Sequence, residues 1–90
     1  MKVQVIIFLF FFFVKNTFGF YVRVYDEVSG EPIESVNVFN FEKGLTTDAN
    51  GICDLGSFSN DDLIIFSMIG YTPLEIKKVD ISENIYLERE

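Results

Sequence analysis

Two unlike hydrophobic patterns divide the chain. Val5 to Val14 is an unbroken apolar run (VIIFLFFFFV), preceded by Met1-Lys2 and followed by Lys15-Asn16. A short basic start, an apolar stretch and small residues at Thr17 and Gly19 are the layout of a secretory signal peptide, with residues 1–19 removed by a cut before Phe20. Ten residues at about 1.5 Å of helical rise each cover roughly 15 Å, half of the ~30 Å hydrocarbon core, which disfavours an uncleaved spanning anchor. No Cys follows the run, which argues against a lipid-modified N-terminus. The chain is therefore expected to be exported.

From Tyr21 onward the period is two, and residues 20–90 are expected to form one domain. In Tyr21-Val22-Arg23-Val24-Tyr25 the valines point one way and Tyr21, Arg23 and Tyr25 the other, as in a half-buried strand. Gly30 and Pro32 in Ser29-Gly30-Glu31-Pro32 supply a turn that would let this strand pair with the next, around Ser35 to Phe41, where Val36 and Val38 alternate with Asn37 and Phe39. Leu45 to Thr47 and Ile52 to Leu55 flank Asp48-Ala49-Asn50-Gly51, a strong reverse-turn signal, and are expected to form a hairpin. Gly56 to Asp62 reads as a polar loop. Leu63 to Ile69 is the most continuously apolar stretch of this part and is expected to be a central strand buried on both faces. Gly70-Tyr71-Thr72-Pro73 breaks it, Leu74 to Val79 follows, and Ile85 to Leu87 is a last short strand. No helical apolar stripe runs for ten or more residues. Seven short strands with frequent turns predict an all-β sandwich of immunoglobulin or transthyretin type.

Composition narrows the chemistry. The chain has no His and one Cys, which removes the commonest general base and metal ligand, any intramolecular disulfide and any Cys-rich zinc site. Six of the eleven Phe lie in the signal segment, while all fourteen acidic residues lie after it with five basic ones, a net charge of −9 for residues 20–90. Such a surface is a poor partner for nucleic acid, whose binding draws on Lys and Arg. It favours a basic face on a neighbouring protein domain.

Val24-Tyr25-Asp26, Ser29-Gly30-Glu31-Pro32-Ile33, Val36-Asn37-Val38, Thr47-Asp48-Ala49-Asn50-Gly51 and Phe66-Ser67-Met68-Ile69-Gly70-Tyr71, in that order, resemble the carboxypeptidase-D regulatory-like domain. The resemblance covers nearly all of Phe20 to Leu87. It implies a transthyretin-like or immunoglobulin-like sandwich of the kind that stands after the signal peptide of TonB-dependent outer-membrane receptors in Bacteroidetes-type bacteria. It also implies a periplasmic or outer-membrane location, with the plug and barrel of a receptor, or another downstream domain, as partner. One departure is Cys53, where the family pattern usually has an aromatic. Another is the end of the sequence at Glu90, which fits either a truncated receptor or a free-standing module.

Gly30, Pro32, Asp48, Asn50, Gly51, Gly70 and Tyr71 also have purely structural readings: Asp48 as an Asx-turn acceptor, Gly51 and Gly70 as bends, Tyr71 as a ring on the core with its hydroxyl on a polar partner. Counted from Asp48, a calcium loop would place Gly at position 53 and Glu at position 59, where Cys53 and Ser59 stand, so no metal site is expected. Asp61-Asp62 has no apolar pocket or basic partner in sequence and reads as a solvated loop. Cys53 lacks an activating base and reads as a core thiol. No catalytic residue and no cofactor is expected. Tyr21 and Tyr25 are the candidate interaction surface, for a protein partner or, alternatively, for a glycan. The function implied is a non-enzymatic accessory domain of a receptor for nutrient or glycan uptake. The alternatives are a folding-support domain of a secreted zinc carboxypeptidase or other hydrolase, and a small glycan-binding module.

Overall fold

A computed structural model describes residues 19–90, so the signal peptide expected over residues 1–19 lies outside the described residues apart from Gly19. Alternation in the sequence becomes seven strands: β1 (Tyr21–Asp26), β2 (Asn37–Phe39), β3 (Gly44–Thr46), β4 (Ile52–Asp54), β5 (Leu63–Ser67), β6 (Leu74–Lys77) and β7 (Asn84–Leu87). They form two sheets, one ordered β4-β1-β7 and the other β3-β2-β5-β6. All pairings are antiparallel except β1 with β7, which is parallel in the register Val24 to Ile85 and Asp26 to Leu87. The architecture is an all-β sandwich.

The core lies between the sheets. Val22 and Val24 of β1, Cys53 of β4 and Ile85 and Leu87 of β7 face Val38 of β2 and Ile64 and Phe66 of β5, with Val36 and Leu55 filling in from the flanking turns. Burying a side chain such as Phe66 or Leu87 stabilises by about 1.5–3 kcal/mol, which is how so small a domain offsets its chain entropy.

The structure corrects several expectations. The stretches around Asp48–Gly51 do not form a hairpin: β3 pairs with β2, β4 pairs with β1, and the turn carries the chain from one sheet to the other. The turn itself is tight, with Gly51 N donating to the Asp48 carbonyl at 2.9 Å and Asp48 N to the Ile52 carbonyl at 3.0 Å. Its flanks diverge because Thr47 turns inward, its Oγ1 donating to the Ile33 carbonyl at 2.7 Å and accepting from Val36 N at 2.9 Å. Turn chemistry specifies a reversal but not the partner of each arm.

Nor do the first two strands pair across Gly30 and Pro32. Residues 31–33 run back beside β1, with Asp26 N on the Glu31 carbonyl and Ile33 N on the Val24 carbonyl, before the chain crosses to the other sheet. Gly30 sits in this turn at φ +75°. Gly51 marks the junction. It has φ +77°, and a Cβ there would stand 2.8 Å from the Val24 carbonyl and 3.0 Å from Pro32 Cβ, so only glycine fits.

β5 is central in its sheet but buried on one face only: Ile64 and Phe66 are inside, while Leu63 is half exposed and Ile69, beyond the strand, is 95% exposed. A sandwich sheet has one inner face, and the apolar run misled by continuing on the outer one. β2 is shorter than expected because Ser35 takes φ +65° before it and the fully exposed Phe41 lies in the turn after it. β6 stops at Lys77, and Lys78–Asp80 is a 3₁₀ turn rather than strand.

Candidate functional site

Side chains on the outer face of the β4-β1-β7 sheet follow from the inward valines. If Val22 and Val24 point in, Tyr21, Arg23 and Tyr25 point out. The cross-strand register adds Asp54 opposite Tyr21, Ile52 and Asn84 on either side of Arg23, and Tyr86 beside Tyr25. Tyr25 and Tyr86 stack, with ring centroids 5.3 Å apart and planes inclined by 21°. Tyr21 is 57% and Tyr86 53% exposed. A shallow groove of about 350 Å³ runs between Tyr21 and Tyr25, with Arg23, Ile52, Asn84 and Glu83 along it. Arg23 makes no ion pair among the described residues. The face is thus a flat aromatic surface with an available guanidinium at its centre, suited to stacking and to fork-like hydrogen bonding.

The sequence pattern named Tyr21 and Tyr25 as the candidate surface and did not name Tyr86. Its signal was present, since Ile85 and Leu87 alternate around it, but its position beside Tyr25 depends on a parallel pairing that no local pattern encodes.

A second arrangement was anticipated only at Tyr71, whose hydroxyl was expected on a polar partner; Asp26 and Arg89 were not named. Asp26 is 3% exposed at the end of β1. Its Oδ2 accepts from Tyr71 Oη at 2.6 Å and from Arg89 Nε at 2.7 Å, and its Oδ1 accepts from Val28 N at 2.7 Å and Ser29 N at 2.9 Å. Tyr71 follows β5 and Arg89 follows β7, so the carboxylate ties together the two sheets and the 26–31 turn. The Tyr71 hydroxyl first, then the Ser29 amide and the Arg89 guanidinium, hold the Asp26 carboxyl well below its usual range against the opposing effect of burial. The same bond raises the Tyr71 phenol. The backbone seals the junction, with Thr72 N on the Glu88 carbonyl at 2.8 Å and Glu90 N on the Gly70 carbonyl at 3.0 Å. Gly70 turns there at φ +91°. Every acceptor face of the carboxylate is occupied, so this arrangement fastens the fold and leaves no oxygen for a substrate. The signal was parity: Asp26 continues the inward series of Val22 and Val24, where a charge must find partners.

The remaining candidates stay apart. Asp48 Oδ1 accepts from Asn50 N at 2.8 Å and Ile52 N at 2.9 Å, an Asx-type turn. Asp62 Oδ2 accepts from Ser59 N at 2.9 Å. Cys53 is buried, and burial first, then the charges of Asp54 and Asp48, push its thiol up to about 11. A thiol held neutral in this way is not a nucleophile at neutral pH. Among the described residues no three His, Cys, Asp or Glu side chains converge to hold a metal ion.

Together these features define a class: an all-β sandwich fastened by an Asp–Tyr–Arg junction at one end and presenting a tyrosine-rich outer face. No protein-family model and no curated protein matches the chain.

Proposed function

We propose that this chain is an exported, non-enzymatic interaction domain of the carboxypeptidase regulatory-like type, acting in the periplasm or at the outer membrane as the N-terminal accessory module of a TonB-dependent receptor. The observation that carries the reading is the outer face of the β4-β1-β7 sheet, where Tyr21 and Tyr25 flank Arg23 along β1 and Tyr86 stacks on Tyr25. Tyrosine and arginine are the residues most enriched where proteins bind one another, because they combine large apolar area with directed hydrogen bonds. The resemblance supports the reading in a second way. Its motif residues Gly51 and Tyr71 stand here at a backbone approach too close for a Cβ and at the Asp26 junction, both places where the frame of the fold is held.

The test places a photo-activatable cross-linking residue at position 23 in the full chain and identifies what it captures in growing cells. The reading expects the plug or barrel of an outer-membrane receptor. Capture of a secreted metallopeptidase would move the assignment to a folding-support domain. Binding of the chain to polysaccharide, lost in the double variant Tyr21→Ala, Tyr25→Ala, would move it to a glycan module.

A further inference from the structure

A two-sheet sandwich has four edge strands, and here three of them are partly capped or carry charges. On β4, Asp48 occupies both edge groups of Ile52: its Oδ1 accepts from Ile52 N and its own N–H donates to the Ile52 carbonyl. β6 carries exposed Glu75 and Lys77, charges of the kind that repel an incoming strand. β7 has the Asn84 carbonyl taken by Ser82 Oγ, and its continuation pairs with residues 70–72.

β3 differs from all three. Thr47 N donates to the Val36 carbonyl and Asn40 N to the Lys43 carbonyl, which fixes the alternation along the β2–β3 pair. Leu45 therefore turns its main-chain groups toward β2, and Gly44 and Thr46 turn theirs outward. Among the described residues no strand lies on that side. Gly44-Leu45-Thr46 carries no charge and no proline, the two devices that commonly blunt an edge.

Beside this edge the sandwich has a seam between β3 and β4. It forms a groove of about 490 Å³ lined by Leu45 and Thr46 on one side and Tyr21, Ile52 and Cys53 on the other, with Asp48 and Asp54 at its rim. Both acids spend Oδ1 on backbone amides and leave Oδ2 without a partner among the described residues. The small Cys53 side chain leaves room in the floor where an aromatic would fill it.

We propose that β3 is a strand-addition site for an extended, basic segment of a partner protein. The segment pairs with the main-chain groups of Gly44 and Thr46. Its seam-facing side chains, every second residue, are of valine or threonine size against Leu45 and Ile52, with Lys or Arg at the ends of that same seam-facing series to reach Asp48 and Asp54 at the rim. Main-chain bonds supply affinity, the seam supplies side-chain selection, and the rim charges together with the acidic surface select a basic strand. The pairing edge belongs to the four-stranded sheet; its seam shares Tyr21 and Ile52 with the outer tyrosine face but not Arg23, Tyr25 or Tyr86, and strand addition at Gly44 and Thr46 does not depend on the receptor reading.

The probe is a nine-residue peptide with Lys at positions 1 and 9 and Val or Thr at the positions between, capped at both ends and titrated into the full chain. The expected result is slowed hydrogen exchange at the Gly44 and Thr46 amides, and binding that weakens at least roughly tenfold when Glu replaces Lys in the peptide. Thr46→Pro removes one outward donor without touching the β2 ladder, and is expected to weaken binding by roughly a further order of magnitude. Should that variant melt early, the exchange measurement on the unaltered chain decides alone. The proposal is overturned if the peptide leaves both amides unprotected, if the Glu and Lys peptides bind alike, or if the protected amides lie on the β4-β1-β7 sheet. It is overturned equally if the chain without peptide sediments as a dimer with Gly44 and Thr46 protected, which would assign the edge to a second copy.

Discussion

One end of the sandwich is joined through a carboxylate and the other through an aromatic ring. At the first, Asp26 receives Tyr71 Oη, Arg89 Nε and two backbone amides. At the second, Phe58 leaves the 56–62 loop and inserts between the sheets, 2% exposed. Lys43 lies over that ring with Nζ 5.4 Å from its centroid and donates to the Ser57 carbonyl at 2.7 Å, while Lys78 donates to the Phe58 carbonyl. The two ends solve one problem, the gap where strands stop and water would reach the core, by opposite means. A ring seals by excluded area and is indifferent to pH. A carboxylate seals by directed bonds, and holds only while it is ionised and its partners are protonated.

Deleting the ring should have the largest effect. Phe58→Ala removes a fully buried aromatic and costs about 3–5 kcal/mol, a large part of what a domain of this size possesses. Thermal melts followed by circular dichroism should show the cooperative transition lowered by tens of degrees or lost, with Phe58→Leu recovering most of it. The deficit should be the same at pH 7 and pH 4.

The Asp26 end should behave otherwise. Asp26→Asn keeps the shape and removes the charge that orders four donors, and should lower the midpoint at neutral pH by roughly 10 °C. The sign of its pH dependence follows from the depressed carboxyl. A group whose folded value is lowered stabilises above its unfolded value, near pH 4, and that contribution fades as pH falls toward the folded value. The gap between the parent chain and Asp26→Asn should therefore be full at pH 6 and shrink steadily below about pH 4. A gap of constant size down to pH 2 would mean that Asp26 acts by shape alone. Tyr71→Phe should give a smaller loss and move the acid transition to higher pH. The raised Tyr71 phenol and Cys53 thiol work in the opposite sense, stabilising below their unfolded values and losing that contribution as pH rises through their folded ones.

The two ends also differ in how far the sequence announces them. The inward series Val22, Val24 places Asp26 on the core side by parity alone, so a buried carboxylate was legible there. Its partners were not: Tyr71 lies 45 and Arg89 63 residues away, brought in by a crossover between sheets and by a parallel strand pair. Phe58 was readable as the lone large apolar residue in Gly-Ser-Phe-Ser-Asn-Asp-Asp, yet the polarity of its neighbours made the whole stretch look like solvent-exposed loop. Strand existence came from alternation, and the all-β class with it. Pairing partners did not, as the arms of the Asp48–Gly51 turn show, because a tight turn constrains four residues while sheet membership depends on which inner faces pack. On the outer sheet face, Tyr21 and Tyr25 were accessible to the same parity argument and Tyr86 only through the β1–β7 register.

The smallest effect is expected from the lysine that covers the ring, and it tests how far the Phe58 end is free of electrostatics. Lys43→Met keeps an unbranched apolar stem over Phe58 but loses the ammonium, its attraction to the ring face and its bond to the Ser57 carbonyl. A cation over an aromatic at a partly exposed site stabilises by about 0.5–1 kcal/mol, and a hydrogen bond of this kind by a similar amount, partly offset by the immobilised side chain. The melting midpoint should fall by only a few degrees, roughly 3–8 °C, and the fall should be the same at pH 4 and pH 8. A midpoint that stays put or rises would mean that the ring seals the end alone and the lysine merely shields it from water. A loss approaching that of Asp26→Asn would erase the distinction, because both ends would then depend on a charge held in place by the fold.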